Sequence, residues 1–277
     1  MNTKEIEIQL LLDAMRLKYG YDFSGYSRDM LIRRIDSRLS KSNLSSITEL
    51  TAKVIHDPEF FSTLIYEISI PVTEMFRDPS VYLNIKQKVF PILKTYPYIN
   101  IWHAGCATGE EVYSMAIALK EEGLYDRCQI YATDINDRAL QKARDGIYPA
   151  DRIQKYTQNY QQSGGKSSFA KYYHAMYESA KIDESLKENI TFASHNLVTD
   201  GVFAEMNLIL CRNVFIYFEK MLQNKVLALF DQSLCRNGFL CLGSSESLTF
   251  SDVEKDFTEI AGNEKIYQKK IKKAIKV

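Results

Sequence analysis

The sequence predicts an α/β protein: a largely parallel, nucleoside-binding sheet preceded by an all-helical segment. Three observations carry this. After residue 100, short apolar runs alternate with helical patterns, the signature of parallel strands joined by crossover helices. Before residue 70, apolar side chains recur at helical spacing with no strand pattern between them. Residues 101–111, IWHAGCATGEE, place a buried strand, a glycine-bearing turn and a helix start in immediate succession. That arrangement turns free backbone N–H groups toward a ligand.

The helical segment comes first. Ile6, Ile8, Leu10, Leu11, Leu12, Met15 and Leu17 mark a helix that stops near Gly20. Ser27 is placed to cap a second helix with Leu31, Ile32, Ile35 and Leu39 on its inner face. Arg28, Arg33, Arg34 and Arg38 lie on that helix, and Arg34 and Arg38, four apart, are neighbours. Two readings stand: a solvated face, or a docking patch for an acidic partner. Two more helices are expected over 48–55 and 58–68, the latter opened by Asp57-Pro58. In IPVTEMFRD, residues 70–78, Pro71, Val72 and Thr73 favour an extended linker, and the domain boundary is expected there. Arg77, at the edge of a cleft, could hold a ligand carboxylate through both arms of its guanidinium. Asp78-Pro79 starts a helix toward Leu93.

The glycine spacing of the central stretch is informative. Gly105 and Gly109 are four apart with no third glycine, which departs from the dinucleotide pattern. A phosphate loop would carry Lys-Ser or Lys-Thr after its last glycine, but Glu110-Glu111 stands there. Two carboxylates repel a pyrophosphate and suit a ligand with hydroxyls and a positive charge. A carboxylate accepting from a ribose hydroxyl is worth roughly 1.5–3 kcal/mol. S-adenosylmethionine, with ribose, sulfonium and no phosphate, fits. Both glutamates also complement the helix dipole, and Thr108-x-x-Glu111 reads as a capping box. Glu111 is therefore expected to cap and Glu110 to meet the ligand.

The second strand, 129–133, ends on Asp134, where nucleoside-binding sheets hold hydroxyls. Asp134 has a rival reading as a helix cap, and the upstream glycines and Glu110 tip the balance toward the ligand. Residues 148–186 are irregular and polar, and read as an insertion with a mobile loop at Ser163-Gly164-Gly165. A third strand over 190–193 leads into His195, expected to be structural, and Asn196, able to offer its amide to an adenine edge. A fourth strand, 206–210, runs into CRNVFIYF. A helix over 220–235, a turn at Asn237-Gly238, and two last strands at 239–242 and 266–268 complete the sheet. The lysines in 269–276 read as a solvated tail.

Composition narrows the class. Lys plus Arg and Asp plus Glu are both 35, so overall charge gives no nucleic-acid or membrane footprint. Five scattered cysteines without C-x-x-C make neither a disulfide framework nor a zinc site, and no metal is expected. No apolar run approaches the ~18 residues of a membrane span, and a cytoplasmic protein is expected.

Taken together, VTEMFRDP, WHAGCATGEEVYS, YATDIN, SHNL, LCRNVFIYF and LGSSE resemble the chemotaxis-receptor methyltransferases. The resemblance covers nearly the whole chain. It implies a Rossmann-like S-adenosylmethionine-dependent methyltransferase sheet, an all-helical N-terminal domain and a small β-subdomain inserted within 150–190. It implies a domain at 1–72 that docks receptors and a catalytic domain at 73–277. The implied activity is methyl transfer from S-adenosyl-L-methionine to receptor glutamates, leaving S-adenosyl-L-homocysteine. Cofactor contacts carry over to Thr73, Arg77, Glu110, Asp134, Asn196, Leu197, Asn213 and Val214. The basic helix, with Arg33, Arg34 and Arg38, would face the cytoplasmic helical bundle of a receptor. A monomer is expected, without nucleic-acid binding or membrane insertion. Pro71, His103, Val112 and Ser244 depart from frequent family residues, and no Gly-rich peptide-gripping loop is found. No residue is assigned a catalytic proton. A methyltransferase of another protein, and a non-catalytic S-adenosylmethionine sensor, remain as alternatives.

Overall fold

A computed structural model describes residues 2–69 and 73–271. The linker positions Ile70, Pro71 and Val72, and the closing lysines beyond residue 271, lie outside the described residues. Contacts divide the chain into two units. One holds the described residues up to Ser69 together with Tyr217–Lys225. The other holds the rest.

The first unit is helical. Helix α1 (Thr3–Tyr19) opens on a capping box between Asn2 and Glu5 and ends on Gly20, whose φ of 78° suits a residue without Cβ. Helix α2 (Arg28–Lys41) begins after Ser27, although the Ser27 hydroxyl makes no capping bond. Helices α3 (Ile47–His56) and α4 (Pro58–Ser69) follow. Asp57 caps α4 by accepting from the N–H groups of Glu59 and Phe60. Ile8, Leu11, Met15, Ile35, Leu50, Val54 and Leu64 are fully buried among them. Each such side chain stabilises by roughly 1.5–3 kcal/mol. Ile32 and Leu39, expected inside, pack at the margin. Residues 217–225, assigned by sequence to the sheet domain, join this unit instead. Tyr26 and Phe218 form a bridge, and the Ser27 N–H donates to the Tyr217 carbonyl at 2.8 Å.

The second unit opens with α5 (Pro79–Asn84), a π-helical turn (Ile85–Val89) and α6 (Phe90–Leu93) where one continuous helix was expected. Pro91 has no N–H to return to the preceding turn, and the wider turn absorbs that defect. Strand β1 (Ile99–Ala104), helix α7 (Glu110–Glu121), β2 (Cys128–Asp134) and α8 (Asp137–Asp145) come next.

The expected insertion is then built as β3 (Ile147–Pro149), α9 (Ala150–Gln162), β4 (Tyr173–Met176) and β5 (Ser179–Ile182). Its strands form a small antiparallel sheet in the order β3-β5-β4. The loop expected to be mobile is anchored. Lys86 Nζ donates to the carbonyls of Ser163 and Gly164, and the buried Glu121 carboxylate accepts from the Lys166 N–H and from Tyr160 and Tyr172.

The remaining elements are β6 (Ile190–Ser194), β7 (Met206–Cys211), α10 (Lys220–Ser233), β8 (Leu234–Leu242), β9 (Phe257–Ala261) and β10 (Ile266–Lys269). Strand β8 starts at Leu234, five residues before the expected position. Strand β9 was not anticipated. Lys269 is no tail residue, for its ammonium pairs with Asp231 and donates to the Leu234 carbonyl.

The main sheet runs β6-β2-β1-β7-β8-β10-β9. Its first five strands are parallel, and β10 and β9 are antiparallel to their neighbours. From β1 the order proceeds to β2 and β6 on one side and to β7 and β8 on the other. Open α/β sheets take ligands at such a reversal, beyond the strands' carboxyl ends.

Candidate functional site

The turn after β1 is built on left-handed backbone. Gly105 has φ 77°, Ala107 49° and Gly109 88°. The glycines answer the protein's own packing as well as this geometry. A Cβ on Gly105 would lie 2.6 Å from Val214 Cγ2, and one on Gly109 would lie 2.8 Å from Ala143 Cβ. Asp134, at the end of β2, ties the turn down. Its Oδ2 accepts from the Ala107 N–H at 2.8 Å and its Oδ1 from the Asn136 N–H at 2.9 Å. The α8 cap is Asn136, whose side chain accepts from the Ala139 N–H. Asp134 is thus a fixed carboxylate at the strand end, half-buried, with lone pairs to spare. Burial pushes its pKa up, and the two N–H bonds offset that in part.

Glu110 is only 6% exposed. The Thr108 hydroxyl donates to its Oε2 at 2.6 Å, and the Tyr156 hydroxyl on α9 lies 3.4 Å from Oε1. Burial pushes its pKa up to about 7, against the lowering effect of the Thr108 hydroxyl. Its proton is therefore held more tightly than that of an ordinary glutamate.

Glu111 does not cap. The α7 N-cap is Gly109, which has no side chain, and Thr108 is turned to Glu110, so the expected capping box cannot close. Glu111 instead meets Arg212 at the end of β7, with Oε2 2.7 Å from the guanidinium, and His103 on β1, 3.2 Å from Oε1. Burial alone would raise its pKa, but the Arg212 guanidinium and His103 beside it hold it down at about 2.

Arg212 is 1% exposed at its side chain and also pairs with Asp78 at 2.5 Å. It was not singled out by sequence. Its one signal was position, at the carboxyl end of an apolar strand. Phe76 and Asp78, which flank Arg77, both have positive φ, 52° and 54°. Each costs a non-glycine residue of order 1 kcal/mol. Thr73 and Arg77 are half-buried, and neither side chain bonds to the described residues. The linker meets α7 through Ser114, whose Oγ accepts from the Phe76 N–H at 2.8 Å and donates to the Glu110 carbonyl at 2.7 Å.

The ends of β6 and β7 complete the rim. The His195 N–H donates to the Asp134 carbonyl at 3.2 Å, which sets the following residues beside the β2 end. Asn196 Oδ1 accepts from the Val198 N–H at 2.9 Å, leaving the amide nitrogen without a bond to the described residues. Leu197 is buried. Asn213 has φ 61°, and its N–H donates to Glu246 at 3.0 Å. Glu246, buried and unassigned by sequence, also accepts from Gly243 at 2.6 Å and Ile216 at 3.3 Å, so it holds the segment after β7. Val214 packs on the Gly105 backbone.

Asp134 with Ala107, Asn196 with Leu197, and Asn213 with Val214 thus lie at the carboxyl ends of β2, β6 and β7, and Glu110 lies at the start of α7, after the β1 turn. The set fits the expected nucleoside. Two carboxylates offer acceptors to ribose hydroxyls, Asn196 and Leu197 offer an amide and an apolar wall, and Arg77 offers a guanidinium that bonds to none of the described residues. Among the described residues no three His, Cys, Asp or Glu side chains converge as metal ligands. No described helix is long and apolar enough to cross a membrane.

In the other unit, Arg33 is exposed and Arg34 half-buried, and neither side chain bonds to the described residues. Arg38, the third residue of the expected docking set, has partners within its own unit. Its guanidinium pairs with Glu67 at 3.4 Å and lies 4.4 Å from the Phe60 ring centroid, so it joins α2 to α4.

Comparison with known proteins assigns both parts of the chain. Residues 6–69 match the all-alpha domain of CheR methyltransferases, and residues 71–266 match the SAM-binding domain of CheR methyltransferases. The chain is 49% identical over 265 residues to the Cher3 protein of Pseudomonas putida, covering 96% of this chain and 97% of that protein. It is 29% identical to the chemotaxis protein methyltransferase of Borreliella burgdorferi, over 90% of each. It is 30% identical to chemotaxis protein methyltransferase 1 of Vibrio cholerae, over 81% of this chain and 83% of that one. The chain belongs to the CheR family and is an S-adenosylmethionine-dependent methyltransferase of that type.

Proposed function

We propose that this methyltransferase esterifies the side-chain carboxylate of glutamates on chemotaxis receptors, giving glutamate methyl esters and S-adenosyl-L-homocysteine. The observation that carries the reading is the near full-length similarity to proteins named chemotaxis protein methyltransferase. The chemistry of the site supports it. S-adenosylmethionine, when bound, supplies a methyl group already activated on a sulfonium. The acceptor carboxylate is ionised at pH 7, so the reaction asks for no strong base. What remains for the chain is to bind, align and exclude water. Glu110 and Asp134 would accept from the ribose hydroxyls. Thr73 and Arg77 would hold the amino-acid end. Asn196 and Leu197 would border the adenine, and Asn213 and Val214 would line the cofactor beside the β1 turn.

The helical domain, 1–72, would dock the cytoplasmic helical bundle of the receptor through Arg33 and Arg34. Arg38 would act there as support for α2. The protein would work in the cytoplasm as a monomer. The test is transfer of labelled methyl from S-adenosylmethionine to membranes carrying the organism's own receptors, with mapping of the labelled residue. Alkali-labile label on receptor glutamates is the expected result. Label confined to other proteins, from a preparation that binds S-adenosylhomocysteine, would refute the substrate and leave the methyltransferase.

A further inference from the structure

Four consecutive linker residues are each fixed by a buried side chain from elsewhere in the sheet domain. Asn159 on α9 donates to the Met75 carbonyl at 3.0 Å. Ser114 on α7 accepts from the Phe76 N–H at 2.8 Å. Arg212 donates to the Arg77 carbonyl at 3.2 Å and to the Asp78 carboxylate at 2.5 Å. Asn159 is 2% exposed, Ser114 is fully buried, and the Arg212 side chain is 1% exposed. The backbone they hold is left-handed at Phe76 and Asp78, which such side chains avoid when free. The residue between them, Arg77, is the one whose own guanidinium bonds to none of the described residues. Everything is spent on the Arg77 backbone and nothing on its head group. A long, rotamer-rich side chain set on a rigid base loses less freedom when it takes a ligand.

We propose that Arg212, with Asn159, is a positioning residue for the cofactor's amino-acid end: it fixes the 75–78 turn so that Arg77 is presented, already oriented, to the ligand carboxylate. This rests on the reading of Arg77 as the carboxylate's partner. Arg212 touches neither cofactor nor acceptor in this account and acts through Arg77. The fork of its guanidinium matters, because one arm reaches Glu111 and the Arg77 carbonyl while the other reaches Asp78. Lysine carries the charge but not the fork.

The test compares two ligands by calorimetry on the full chain. S-adenosylhomocysteine has the amino-acid carboxylate, and 5′-methylthioadenosine keeps adenine, ribose and thioether without it. Arg77→Ala is expected to weaken S-adenosylhomocysteine by about tenfold or more while leaving methylthioadenosine nearly unchanged. Arg212→Lys and Asn159→Ala are expected to show the same selectivity at smaller amplitude, about three- to tenfold. A merely structural role would weaken both ligands together, and that result, or unchanged S-adenosylhomocysteine affinity, overturns the proposal. Asn159→Ala decides the matter if Arg212→Lys does not fold. If Arg77→Ala is itself unselective, the Arg77 reading fails and takes this inference with it. If Arg77→Ala is selective and the other two are not, only this inference fails.

Discussion

Replacing Glu111 by Gln should produce an acid-sensitive loss of stability whose size follows from the ion pair. The carboxylate sits at about 2 in the folded protein against 4.5 for an ordinary glutamate, held down by Arg212 and His103. A separation of about 2.5 units corresponds to about 3 kcal/mol of stability at neutral pH. Because the folded value is the lower one, that stability is fully present above pH 4.5. It declines as pH falls toward 2, and at pH 3 less than half of it remains. Independent experience with buried pairs broken on one side gives a similar figure, about 3–5 kcal/mol, since the surviving charge stays buried without its partner. Arg212 retains Asp78, which moderates the loss. The assay is urea unfolding of wild type and Glu111→Gln at pH 7 and pH 3, followed by a probe in the sheet domain such as Trp102, which is fully buried on β1. The difference between the two proteins should shrink by at least half from pH 7 to pH 3. A difference below about 1 kcal/mol at pH 7, or one independent of pH, would refute the ion-pair account.

Glu110 titrates in the other direction, and burial places it at about 7. If the ionised form is the one that accepts from ribose hydroxyls, S-adenosylhomocysteine affinity should rise about tenfold from pH 6 to pH 8, following the ionised fraction. Glu110→Gln should bind more weakly at pH 8 and lose that dependence, as read by calorimetry. Gly105→Ala should destabilise by about 1–3 kcal/mol, since it combines a φ of 77° with a Cβ 2.6 Å from Val214, and it should weaken cofactor binding by displacing Val214. Thermal unfolding and the same calorimetry check this. Arg33→Glu with Arg34→Glu should spare cofactor binding and lower receptor methylation at sub-saturating receptor. Arg38→Ala should instead cost about 1 kcal/mol of stability through the loss of Glu67 and the Phe60 face, measured by denaturant midpoint.

What the sequence makes legible here is what depends on near neighbours along the chain. The β1 turn declares itself through Gly105 and Gly109, α7 through its apolar spacing, and β2 through an apolar run closing on Asp134. What it hides is whatever depends on partners far away in sequence. Glu111 has one local partner pattern, Thr108-x-x-Glu111, and one distant partner, Arg212, 101 positions on. A charge-assisted bond in a buried setting outweighs a cap that Gly109, with its left-handed backbone, cannot provide. Helix α9 escapes for a related reason. Its sequence, ADRIQKYTQNYQQ, is polar nearly throughout, and it buries Tyr156, Asn159 and Tyr160, two of them through polar tips that face Glu110 and Glu121. Periodicity of apolar residues cannot see a helix whose inner face is held by hydroxyls and an amide. Strand β9, FTEIA, is short, lies at the sheet edge and has no strict alternation, and β8 begins at Leu234, directly after α10 ends at Ser233.

The linker shows the same division most sharply. Pro71 and the β-branched Val72 and Thr73 announce a break in the helical pattern, but no local feature of EMFRD announces left-handed backbone at Phe76 and Asp78. That conformation is imposed from three directions, by Ser114, Asn159 and Arg212, each more than 35 positions away. A strained turn persists only where its surroundings over-determine it. Here the surroundings are the same three elements, α7, α9 and the β7 end, that carry Glu110, Tyr156 and Asn213. The geometry that sets Arg77 is therefore not separable from the geometry of the rim itself, and a change that loosens any one of the three anchors should be felt first at Arg77.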